Sequence, residues 1–227
     1  MTISERVKAT RLKIHNAAVA AGRNPEQVRL VAVSKTRPVS DVIECLAAGQ
    51  QVFGENYVQE LALKAAQIEC PAEWHFIGHL QSNKVKSIAG LVTLIHSVDR
   101  LSLAEEISRQ WGKLGLSCNI LLQVNVSGEK TKSGTTVEDA LRLTRDVSQL
   151  PNIKVKGLMT MPPFFDDPED ARPYFAELKR LSLQIESEKI ANIEMQELSM
   201  GMSGDFEAAI QEGATLVRIG TAIFGSR

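Results

Sequence analysis

The chain has 227 residues, 44% of them hydrophobic and 23% charged, with a formal net charge of −1 at pH 7. That composition belongs to an ordinary soluble globular protein; it offers no basic footprint for nucleic acid and no like-charged tail. No run approaches the ~18 apolar residues of a membrane span, the N-terminus lacks a signal-peptide core, and Cys45, Cys70 and Cys118 form no CxxC pair, so a cytoplasmic protein without disulfides or zinc is expected.

The chain opens with a predicted helix over 2–21, where Val7, Ile14, Ala18 and Ala21 fall near one face and Gly22 supplies a stop. Leu30 to Ser34 is a short uncharged run that reads as a buried strand, ended by Lys35, Thr36, Arg37 and Pro38. A helix over 39–48 stops at Gly49, and a strand over 51–53 ends in Gly54-Glu55-Asn56. A helix to about Ile68 leads to a strand over 74–77, which ends in Gly78-His79-Leu80-Gln81. A helix over 83–89 precedes a strand over 92–95 that runs on to His96-Ser97-Val98. Next come a helix over 101–114, a β-rich run over 119–126, a helix over 137–150, a strand over 154–158 and a Met-Pro-Pro loop. A helix over 173–188, a short strand that ends with Glu197-Leu-Ser199, a helix over 206–213 and a strand over 215–218 complete the pattern. Eight strands alternating with helices imply parallel strands joined by crossovers. The expected fold class is α/β: a (β/α)8 TIM barrel with a leading N-terminal helix and short loops, in one domain over 1–227. A doubly wound open sheet is the alternative.

Polar residues gather at the strand ends: Lys35, Glu55, Asn56, His79, His96, Ser97, Asn125, Met159-Thr160, Ser199 and Arg218. In a barrel those positions surround one mouth. Lys35 is a candidate Schiff-base former, because partial desolvation or a neighbouring cation lowers a lysine from its usual pKa of ~10.4. It is otherwise a charge that snorkels at a strand end. Two small-residue turns, Leu198 to Phe206 and Arg218 to Thr221, follow strands seven and eight, where barrel phosphate sites lie. Read more plainly, they are tight turns with Ser203 as a helix cap. Arg218 is either a structural cation or a charge facing an aromatic cofactor, where it would keep a pyridine nitrogen unprotonated. The spacing His75-x-x-x-His79 would suit a metal on a helix, but Phe76, Ile77 and Gly78 read as a strand and its exit, so no metal site is expected.

A lysine for an aldehyde, a phosphate cup and a strand-end arginine point to pyridoxal 5'-phosphate. The segments Ala32-Val-Ser-Lys-Thr36, Phe53-Gly-Glu-Asn56, His75-Phe-Ile-Gly-His-Leu-Gln81, Leu198-Ser-Met-Gly-Met-Ser203 with Asp205, and Val217-Arg-Ile-Gly-Thr221 carry a specific resemblance. They resemble the pyridoxal phosphate homeostasis proteins, the YggS-like or proline synthase co-transcribed family, over nearly the whole chain. The resemblance implies a barrel like the N-terminal domain of alanine racemase, with the cofactor held on Lys35 as an internal aldimine. It implies that Ser199, Met200, Ser203, Gly220 and Thr221 surround the phosphate, that Arg218 approaches the pyridine nitrogen, and that Asn56 and His79 line the cofactor.

It also implies a role in intracellular cofactor homeostasis, by buffering and delivery, with effects on amino-acid and keto-acid balance and no established catalysis. Pyridoxal phosphate-dependent apoenzymes are the implied recipients. The enzymatic alternatives are an amino-acid racemase and a Schiff-base aldolase acting on a phosphorylated sugar. Racemization needs an acid/base group on each face of the substrate. Lys35 would serve one face, whereas alanine racemase takes the other group, a tyrosine, from a C-terminal β-domain of the partner subunit. This chain ends at Arg227, just past the last barrel element, so that domain is expected to be absent and the protein to be a monomer.

Overall fold

The structure, a computed structural model, describes residues 1–129 and 131–225; Arg227, the expected end of the barrel chain, lies outside them. Helix α1 (Ile3–Ala20) begins with a capping box in which Thr2 Oγ1 accepts from Glu5 N at 3.1 Å and Glu5 Oε2 accepts from Thr2 N at 2.8 Å. The elements then alternate: β1 (Arg29–Val33), α2 (Val39–Ala47), β2 (Val52–Glu55), α3 (Val58–Gln67), β3 (Glu73–Phe76), a 3-10 turn (Ser82–Ser87) and β4 (Leu94–Val98). The second half runs α4 (Leu101–Gly112), β5 (Cys118–Gln123), α5 (Val137–Ser148), β6 (Ile153–Met159), α6 (Arg172–Ser187), β7 (Ile193–Ser199), α7 (Phe206–Gln211), β8 (Leu216–Ile219) and α8 (Thr221–Phe224).

The strands pair in chain order into a closed parallel barrel, sealed where β1 pairs β8, with Leu30 opposite Val217 and Ala32 opposite Ile219. The (β/α)8 expectation holds, and the open sheet is excluded. One crossover differs from the sequence reading: 83–89 forms no α-helix. Val85 and Ile88, both buried, stand three apart, the period of a 3-10 turn, and that short segment is enough to bridge β3 to β4. At the other end α8 has four residues, and α1 packs against α2, α7 and α8 to complete the outer layer there.

The main core lies between strands and helices. A second, small cluster of Val31, Leu94, Leu121, Met159 and Leu216 fills the barrel interior. Polar side chains share that interior: His75, His96, Ser199 and Arg218 are all buried. Among the described residues no helix is long and apolar enough to cross a membrane.

Candidate functional site

A cavity of about 360 Å3 opens at the carboxyl ends of the strands, the face on which barrel sites are built. Lys35 reaches it from the turn after β1, Asn56 from the end of β2, and Arg218 from β8. Ser203 and Gly204 line it ahead of α7, and Gly220 and Thr221 line it where α8 begins. Val33 and Ile77 add apolar wall, and Met161, Pro163, Phe164 and Phe165 close one side.

The turn carrying Lys35 is strained and anchored. Thr36 has φ +62°, a left-handed conformation costly for a β-branched residue, and its N–H donates to Glu60 Oε1 at 2.6 Å. Behind it, Lys64 is buried on α3 and donates to Ser34 O at 2.6 Å, to Glu55 Oε1 at 2.7 Å and to Glu60 Oε1 at 2.7 Å. Ser34 Oγ donates to the same Glu55 oxygen at 2.6 Å. Burial pushes the Glu55 carboxyl up, and the hydrogen bonds from Lys64 and Ser34 pull it back down. This ionic clamp fixes the Ser34–Thr36 backbone against α3 and β2, and so fixes where Lys35 departs.

Asn56 is set by a close approach. A Cβ on Gly78 would lie 2.3 Å from Asn56 O, so only glycine lets the ends of β2 and β3 come together there. Asn56 Oδ1 is buried with no hydrogen-bond partner among the described residues. Arg218 is 4% exposed and directs Nη1 to Ser199 Oγ at 2.6 Å and Nη2 to Thr160 O at 2.9 Å. Burial pushes its pKa down to about 10, opposed by the Asp205 carboxylate, so it remains a cation at neutral pH.

Of the residues singled out from the sequence, Lys35, Asn56, Ser203, Arg218, Gly220 and Thr221 share this cavity. Ser199 stands behind Arg218, bonded to it inside the barrel, and Met200 is packed in the main core. His79 is exposed and lines a separate cleft with Tyr57, Gln81 and Lys84; Asn56 borders both. His96 is buried within the barrel rather than at its mouth, 2.8 Å from Ser199 Oγ through Nδ1. Sequence reasoning missed Phe164 and Phe165, although an aromatic pair in the loop after the sixth strand end was a readable signal. It also missed Lys64, whose i,i+4 spacing to Glu60 looks like an ordinary surface pair.

Comparison with known proteins agrees with this fold. The model of the alanine racemase N-terminal domain family matches residues 11–227. The pyridoxal phosphate homeostasis protein of Aquifex aeolicus is 46% identical over 228 residues, covering 100% of this chain and 99% of that one. Its namesake from Pseudomonas aeruginosa is 48% identical over 227 residues, covering 100% and 96%. Among solved structures, PipY of Synechococcus elongatus with PLP bound superposes with a TM-score of 0.87 at 35% identity, covering 99% of this chain and 100% of that one. The chain therefore belongs to the pyridoxal phosphate homeostasis protein family, built on the alanine racemase N-terminal domain.

Proposed function

We propose that this protein binds pyridoxal 5'-phosphate in the Lys35 cavity, carries it on the Lys35 amine and releases it to apoenzymes that need it, serving cofactor homeostasis with effects on amino-acid and keto-acid balance. The observation that carries the reading is the meeting of a primary amine, a buried cation and two small-residue turns around one slot. The residues fit the group. When bound, pyridoxal phosphate supplies an aldehyde that condenses with an amine and releases water. Val33 and Ile77 offer apolar surface for a ring, and a cationic Arg218 keeps a ring nitrogen beside it unprotonated. Ser203 and Thr221 bring hydroxyls, and the turns at Gly204 and Gly220 bring backbone N–H groups that face no intrahelical acceptor, a set suited to phosphate. The unpartnered Asn56 Oδ1 calls for a donor, which a bound molecule can supply.

A carrier fits better than a racemase. Lys35 would move a proton on one face, and the opposite face needs a second group. The chain has two tyrosines. Tyr57 is 54% exposed and lines the outer cleft, while Tyr174 stacks on Phe165 with ring centroids 5.7 Å apart. Neither lines the cavity. Asp205 does, but its Oδ1 accepts from Met202 N at 2.6 Å and holds the turn ahead of α7.

The test is borohydride reduction of protein incubated with pyridoxal phosphate, followed by peptide mass mapping. A pyridoxyl-phosphate mass is expected on the Lys35 peptide and is expected to vanish in Lys35→Ala. An adduct elsewhere, or none, would refute the assignment. Formation of D-alanine from L-alanine by the loaded protein would replace the carrier role with a racemase.

A further inference from the structure

A column of polar side chains crosses the barrel interior, and cofactor binding leaves most of it unused. Glu73 and His75 stand on β3, His96 on β4, Ser199 on β7 and Arg218 on β8. Arg218 Nη1 lies 2.6 Å from Ser199 Oγ, and Ser199 Oγ lies 2.8 Å from His96 Nδ1. His96 Nε2 is 3.0 Å from His75 Nδ1, and His75 Nε2 is 3.0 Å from Glu73 Oε1. His75, His96 and Ser199 are each 0% exposed. The column ends at a cleft on the opposite face of the barrel, lined by Arg29, Glu73, His75 and Glu197.

One proton assignment satisfies every group. A guanidinium only donates, so Ser199 accepts from Arg218 and its single hydroxyl hydrogen goes to His96 Nδ1. The His96 ring is then neutral and donates from Nε2 to His75 Nδ1. His75 is neutral in turn and donates from Nε2 to the Glu73 carboxylate. Burial pushes both imidazoles down, His96 well below its usual value, and the hydrogen bond from His75 holds Glu73 down. Each donor in the column points away from Arg218 and toward Glu73.

We propose that His96 and His75 are positioning residues for the cofactor cavity: they fix Ser199 as an acceptor, and Ser199 together with Thr160 O locks the Arg218 guanidinium in the pose it presents to the ligand. Without an acceptor at His96 Nδ1 the Ser199 hydroxyl is released to rotate, and Arg218 loses its anchor at Nη1. The proposal rests on pyridoxal phosphate binding only for the second of its two readouts.

Two amide substitutions separate positioning from packing. In His96→Asn the amide oxygen takes the place of Nδ1 and still accepts from Ser199. In His96→Gln the amide nitrogen takes the place of Nε2 and still donates to His75, while the acceptor for Ser199 is gone. The first readout is nitrogen-15 NMR of cofactor-free protein. Wild type is expected to show both rings neutral with the proton on Nε2 at about pH 7, near the ordinary imidazole range, and a slowly exchanging Arg218 side-chain N–H. That signal is expected to survive in His96→Asn and to be lost in His96→Gln. The second readout is absorbance titration with pyridoxal phosphate: about tenfold weaker binding and a shifted band in His96→Gln, and binding within about threefold of wild type in His96→Asn.

Equal effects of the two substitutions on both readouts would reduce His96 to a packing residue and overturn the proposal. A wild-type His96 that is cationic or protonated on Nδ1 would overturn it too. If His96→Gln fails to fold, His96→Ala removes the same acceptor; loss of the Arg218 signal there, against its survival in His96→Asn, supports the proposal and an unchanged signal refutes it. Failure of wild type to bind pyridoxal phosphate would count against the carrier function, while the ring and Arg218 signals of cofactor-free protein still decide this inference.

Discussion

At the scale of single residues, Lys35 owes its position to a charge it does not touch in sequence. Lys64 is buried and ties Ser34 O, Glu55 and Glu60 together, so the strand end and α3 move as one body. Removing one member of a buried ion pair strands the other, at a cost of about 3–5 kcal/mol. Lys64→Met is therefore expected to lower unfolding free energy by about that amount, measured by chemical denaturation. Adding Glu55→Gln to it is expected to recover part of the loss, because the stranded carboxylate is gone; no recovery would mean that Glu55 is not the partner that matters. Lys35 and Arg218 were legible in the sequence because each follows or closes a short apolar strand. Lys64 was not, because on a helix the sequence does not distinguish a lysine facing solvent from one facing the end of a neighbouring strand.

At the scale of elements, the ends of β2 and β3 decide which polar residues enter the cavity. Gly78 lets β3 pass against Asn56, and the chain then turns so that His79 faces outward. Gly78→Ala would place a methyl 2.3 Å from Asn56 O. It is expected to cost about 1–3 kcal/mol by overpacking and to weaken pyridoxal phosphate binding, because Asn56 must shift. Calorimetric titration checks this, and a variant with wild-type affinity would remove Asn56 from the binding set. The same reasoning explains the one crossover that differs from expectation. The pattern of 82–89 satisfies a helix and a 3-10 turn alike over so few residues, and burial of Val85 and Ile88 decides for the tighter turn.

At the scale of the whole molecule, the barrel carries two neutral imidazoles where most barrels of this kind pack branched apolar side chains. Burial lowers both from the ordinary value of 6.5. A base held below its unfolded value takes up its proton less readily when folded, so the unfolded chain binds more protons as pH drops through 6.5. Stability is then fully present above that value and is lost below it, at up to about 1.4 kcal/mol per pH unit for each ring. The raised carboxyl of Glu55 has the opposite sense, with a window that opens from 4.5 upward, and so offsets part of the loss. Denaturation midpoints are expected to fall steeply as pH is taken from about 7.5 to about 5.5, on either side of the ordinary imidazole value. A flat profile across that interval in wild type and in Glu55→Gln alike would mean that the two rings are not held neutral.

The sequence by itself determined the alternation of eight strands with their connecting helices, the one between β3 and β4 excepted, the leading helix, and the strand-end lysine and arginine. These are properties of local periodicity and composition, which the chain carries residue by residue. It did not determine which strand-end residues share a cavity. In a strand a shift of one residue turns a side chain to the other face, and the register here shifts between Ile95 and Val98, between Ile120 and Leu121, and between Val155 and Gly157. Closure of the barrel settled the rest: Asn56 borders the cavity, His79 stands outside it, and Ser199, His96 and His75 join in the interior. The His96–Ser199 contact links β4 to β7, strands far apart in the chain, and only the closed ring of strands brings them within hydrogen-bond reach.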